Sequence, residues 1–138
     1  MNSVKTVALL CLVAMISPAM AQTPEDNLAA YHGQFDAMNA HDLDTMMSYW
    51  ADDGMYDYVA KPPVVPKMYL EMGMAQRFST RPDFRMTEGR TLAAGNIVVE
   101  EAMTLYTVVD TGDEVAIPHL SIYEFEDGKI KMVTSYND

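Results

Sequence analysis

The sequence predicts an α+β domain: three N-terminal helices packed on one face of a curved, mainly antiparallel β-sheet. Three observations carry this. Apolar residues recur at helical spacing as far as Thr80 and then alternate with period two from Phe84 onward. The second half is cut by Gly-containing turn signals at Ala94-Gly95-Asn96, Thr111-Gly112 and Asp127-Gly128. Asp-Gly between two alternating runs is among the strongest short hairpin signals, and successive hairpins make a meander. Helices followed by a run of strands segregate to one face of the sheet.

Residues 1–21 stand apart. Lys5 supplies a short positive region, Val7–Ile16 an apolar core, and Ala19-Met20-Ala21 a small-residue cleavage site, so residues 1–21 read as a signal peptide. The apolar run is too short to span a bilayer, and no membrane anchor is expected. Leu10 before Cys11 is too bulky for a lipoprotein signal, which leaves secretion or the periplasm. Cleavage after Ala21 leaves 22–138 as one domain and removes the sole cysteine, excluding disulfides and thiol nucleophiles. Twenty acidic against nine basic side chains give the whole chain a net charge of −11. Such a surface repels phosphate backbones, so no nucleic-acid partner is expected.

Thr23-Pro24-Glu25-Asp26 combines an N-cap, proline at N1 and early acidic residues, which start the first helix. Leu28, Tyr31, Phe35 and Met38 line one face of it. Asp42 caps a second helix with Leu43, Met46, Met47 and Trp50 as its stripe and Gly54 as its stop. Met55–Val59 reads as a short strand. Ala60–Lys67 holds three prolines and cannot pair as a central strand, so an ordered loop is expected there. A third helix runs from about Met68 to Thr80. Strands are expected at about Phe84–Ala93, Ile97–Asp110, Glu114–Phe125 and Lys129–Tyr136.

That element order resembles the nuclear-transport-factor-2-like superfamily. The matching residues are Ala51-Asp52-Asp53 closing the second helix, Pro82-Asp83-Phe84, Ala94-Gly95-Asn96 before a long strand, Thr111-Gly112, Phe125-Glu126-Asp127-Gly128-Lys129-Ile130 and the closing Tyr136-Asn137-Asp138. Within the superfamily the chain is most similar to SnoaL-like polyketide cyclases, which are related to ketosteroid isomerase and limonene epoxide hydrolase. The resemblance implies a cone-shaped pocket between sheet and helices, a small hydrophobic ligand, no cofactor, and a homodimer through the convex sheet face. It matches Asp138 to the acidic residue that handles a proton in the epoxide-hydrolase branch. That branch's arginine and aspartate fall here on Ala102 and Thr104. The two aspartate positions of ketosteroid isomerase fall on Tyr58 and Pro118.

The proton-transfer candidates are therefore Asp138 and His119, the latter because an imidazole can shuttle protons. Glu100 and Glu101 are adjacent, so alternation turns one inward, and Glu100 is the expected inner one. Glu100, Tyr56, Tyr58 and Trp50 are expected to contact a ligand. The competing reading makes His119 a hydrogen-bonded structural histidine and the aromatic and methionine side chains plain core. His32, His41 and His119 lack paired metal-ligand spacing, and no metal is expected. Two functions remain open: cofactor-free acid–base chemistry (cyclisation, isomerisation or hydration), or a non-catalytic ligand-binding or dimerisation module whose cone is filled by its own side chains.

Overall fold

The computed structural model describes residues 22–59, 61 and 63–137. The leader and Asp138 lie outside these described residues. Three helices, α1 (Pro24–Asn39), α2 (Leu43–Ser48) and α3 (Lys67–Thr80), pack on one six-stranded sheet. Its strands are β1 (Trp50–Tyr58), β2 (Val65–Pro66), β3 (Arg85–Ala94), β4 (Ile97–Thr107), β5 (Glu114–Glu126) and β6 (Lys129–Asn137). The spatial order is β2-β1-β6-β5-β4-β3. β3 to β6 form the expected antiparallel meander, and β1 joins it parallel to β6.

The helix starts follow their sequence signals. Thr23 and Asp26 form a reciprocal capping box, with Asp26 N donating to Thr23 Oγ1 at 3.1 Å and Thr23 N to Asp26 Oδ2 at 3.0 Å. Asp42 caps α2 by accepting from Thr45 N. The buried face of α1 includes two polar residues, Asn27 and Gln34, beside Tyr31, Phe35 and Met38. Asn27 Nδ2 donates to the Gly95 carbonyl and so ties α1 to the β3–β4 turn.

Two expectations change. The second helix ends at Ser48 rather than running to Gly54, and Trp50 opens β1. The sheet edge offers Trp50 a parallel partner in Ile130, and Ile130 N bonds the Tyr49 carbonyl at 2.8 Å. Asp52, Asp53 and Gly54 are poor helix formers, so these tertiary bonds win, and a register shift between Trp50 and Met55 absorbs the acidic stretch. The proline-rich loop also contributes Val65–Pro66 as a two-residue strand, at the sheet edge where proline is tolerated.

The turns show why their residues were needed. Asp127 and Gly128 both take positive φ, 48° and 78°, as a two-residue type I′ hairpin requires. Register shifts at Glu88/Thr91 and Glu124/Phe125 mark bulges, which bend strands. The core under the helices centres on Tyr31, Met46, Trp50, Phe84, Phe125 and Ile130.

Candidate functional site

Strand register decides which side chains face the helices. Glu100 pairs with Ser121, Ala102 with His119 and Thr104 with Ile117. Across the next ladder, His119 pairs with Asn137, Ser121 with Ser135 and Tyr123 with Val133. Directly opposed residues share a face, so His119, Ser121 and Tyr123 of β5 stand beside Ser135 and Asn137 of β6. Tyr56 and Tyr58 enter from β1 opposite Val133 and Ser135. Between this face and the helices lies a cavity of about 190 Å³. Trp50, Met46 and Gln34 line it with Leu70, Met74 and Arg77 of α3.

Of the candidate residues, Trp50, Tyr56, Tyr58 and His119 line this cavity. Glu100 lies behind its wall, with 0% of its surface exposed. Its neighbour Glu101 points to the other face and pairs with Arg90 at 2.6 Å. The Glu100 Oε1 atom is 3.5 Å from His119 Nε2. Among the described residues neither carboxylate oxygen closes a hydrogen bond of standard geometry. Glu100 thus reaches the cavity through the imidazole. Asp138 lies outside the described residues, and its role rests on resemblance alone.

The phenols around Glu100 are tuned by burial. Desolvation first, and then the Glu100 carboxylate, push the Tyr123 hydroxyl well above the ordinary phenol range. Tyr31 is raised for the same two reasons. Burial also raises Tyr56. These hydroxyls therefore stay protonated and remain donors at neutral pH. Ser121 Oγ donates to Ser135 Oγ at 3.2 Å. Asn137 Nδ2 donates to the Tyr58 hydroxyl oxygen, which leaves the Tyr58 proton available to a ligand. Trp50 Nε1 and Gln34 Oε1 are buried without partners among the described residues.

Sequence reasoning missed Gln34, Ser121, Ser135 and Asn137, and also Arg77 and Arg81 at the end of α3, all of which line the cavity. Gln34 was legible in principle, seven residues after Asn27 and three after Tyr31 on one helical face. The two serines had no signal before strand pairing placed them opposite each other.

The architecture recurs in solved structures. The chain is similar to an assigned SnoaL-like polyketide cyclase from Jannaschia, at 15% identity over 85% of this chain and 90% of that one, with a TM-score of 0.71. It is similar to an LEH-like epoxide hydrolase of M. tuberculosis, at 19% identity over 83% and 84% of the two chains and a TM-score of 0.72. A protein of ketosteroid isomerase-like fold from Catenulispora acidiphila, solved with trimethylamine, matches at 17% identity over 83% and 86%, with a TM-score of 0.69. Helices, sheet and the cavity between them together define a fold of the nuclear-transport-factor-2-like type. The chain belongs to the SnoaL-like domain family, whose pattern matches residues 31–133.

Proposed function

We propose that the cavity binds a compact apolar or aromatic carbonyl compound and that His119, backed by Glu100, moves a proton on it. The observation that carries this reading is Glu100 itself. A buried carboxylate costs several kcal/mol unless it is paired, and its one basic neighbour in ion-pair range among the described residues is a histidine on the cavity wall.

In this reading a C–H bond next to the carbonyl breaks toward the imidazole nitrogen that does not face Glu100. The electron pair moves onto the carbonyl oxygen, and the Tyr58 and Tyr56 hydroxyls stabilise the enolate as donors. Glu100 offsets the charge of the imidazolium. The enolate carbon then adds to a second carbonyl of the same molecule, whose C–O π bond opens and whose oxygen takes the imidazolium proton, or the extended enolate takes that proton back at another carbon. The cavity is smaller than the roughly 300–1,000 Å³ of sites for drug-sized ligands, so it suits one or two rings rather than a large polycycle.

The test needs no known substrate. In D2O, the protein should speed deuterium uptake beside the carbonyl of small aryl and cyclic ketones, and those ketones should shift the Trp50 indole N–H resonance. Binding without exchange would reduce the domain to a binding module. Neither effect across a broad set of ketones would favour a self-filled structural cone, the reading to which the small cavity volume and the Met46 and Met74 lining lend weight.

Export and pairing complete the proposal. The signal-like leader directs the chain out of the cytoplasm. Leu92, Met103 and Tyr136, exposed on the sheet face away from the helices, form the contact between two copies. Native mass spectrometry of the exported protein should find Gln22 as the first residue and twice the mature mass. An intact Met1 or a monomeric mass would refute the corresponding half.

A further inference from the structure

The cavity contains a charged feature that the proton-transfer reading does not use: Arg77 and Arg81. Arg77 lies in the last turn of α3, and Arg81 is its C-cap in a non-helical conformation. Both line the cavity. The Arg81 guanidinium sits 3.9 Å over the Tyr106 ring and that of Arg77 5.3 Å from the centre of Phe84. Each guanidinium thus lies against an aromatic ring. Among the described residues the only acceptor either guanidinium reaches is the Met74 thioether, 3.6 Å from Arg77.

Lys67, Arg90 and Lys131 each find a carboxylate. Among the described residues Arg77 and Arg81 find none, as do the exposed Lys61, Arg85 and Lys129, but of these five only Arg77 and Arg81 line the cavity. Arg77 is drawn below the usual guanidinium range by burial and then by Arg81. The negative end of the α3 dipole favours a cation there, but it satisfies none of the outward N–H donors. A planar oxyanion would satisfy them, since two guanidinium forks match carboxylate geometry.

Resting on the reading of the cavity as a ligand site, we propose that its ligand is an organic acid, with a carboxylate held by Arg77 and Arg81 and an apolar body reaching past Ile117 toward His119. Ile117 and His119 stand two residues apart on the same face of β5, roughly 7 Å, and both line the cavity with the two arginines.

The experiment compares matched acids and amides, cinnamate with cinnamamide and 2-naphthoate with 2-naphthamide, titrated calorimetrically into the protein. The acids should bind at least tenfold tighter than their amides, about 1.4 kcal/mol, with a gap that narrows as salt is added. Arg77→Gln and Arg81→Gln should each shrink the gap, whereas Arg85→Gln, which removes the same charge from an exposed strand position, should preserve it. Should either arginine variant fold poorly, the wild-type comparison decides alone. Equal affinity for acid and amide overturns the acid assignment and leaves the cavity reading standing. Absence of binding by either overturns both.

Discussion

His119→Leu is expected to destabilise the protein by about 3 kcal/mol or more, read as lost unfolding free energy in urea. The cost lies with Glu100 rather than with the imidazole. Glu100 is fully buried and His119 Nε2 is 3.5 Å from it, so removing the histidine leaves an acid in the core with its neighbouring base gone. Glu100→Met alone should cost far less, because a neutral histidine can remain at the cavity wall. Combining the two should recover most of the loss, since replacing both members of a buried pair with apolar residues is often close to neutral. The double-mutant cycle should therefore show a coupling of about 2 kcal/mol. A cost below about 1 kcal/mol for His119→Leu, with no coupling, would mean that the two residues are neighbours and not a pair.

A pair that an apolar substitute could replace is kept for a reason other than stability. The same holds for the other polar atoms of the interior. Trp50 Nε1, Gln34 Oε1 and the Tyr31 hydroxyl are buried without partners among the described residues. Each unsatisfied group costs about 1–3 kcal/mol, and Trp50 and Gln34 line the cavity. A fold selected for stability alone would carry Phe or Met at such positions. In the proposed reading these polar groups are kept because a ligand meets those that line the cavity.

How much of this was legible follows from which interactions are local. Period-two alternation separated Glu100 from Glu101, because one residue reverses a strand's face. Asp127-Gly128 announced its turn because few residues accept positive φ in succession. Trp50 misled because Met46, Met47 and Trp50 lie at helical spacing while the decisive bond, Ile130 N to the Tyr49 carbonyl, comes from a strand eighty residues later. The approach of His119 to Glu100 was likewise hidden, as it depends on the β4–β5 register setting His119 opposite Ala102 and Ser121 opposite Glu100. Arg77 and Arg81 carried no site signal in the sequence, because Phe84 and Tyr106, the rings they lie against, come from beyond the helix.

The second large effect is catalytic. If His119 is the base, His119→Gln should lower deuterium exchange into a bound ketone by about 10²–10⁴-fold, the usual contribution of general acid–base catalysis. Binding, read from the Trp50 resonance, should change little, because glutamine retains polarity and most of the volume. Glu100→Gln should lower exchange less, because it removes the charge that offsets the imidazolium while keeping the shape of the side chain. A purely structural Glu100 would alter the unfolding free energy and leave exchange unchanged. Tyr58→Phe should slow exchange modestly, since its hydroxyl contributes a hydrogen bond to the enolate oxygen and takes no proton. Exchange that persists at the wild-type rate in His119→Gln would remove the imidazole from the mechanism and leave the cavity as a binding site.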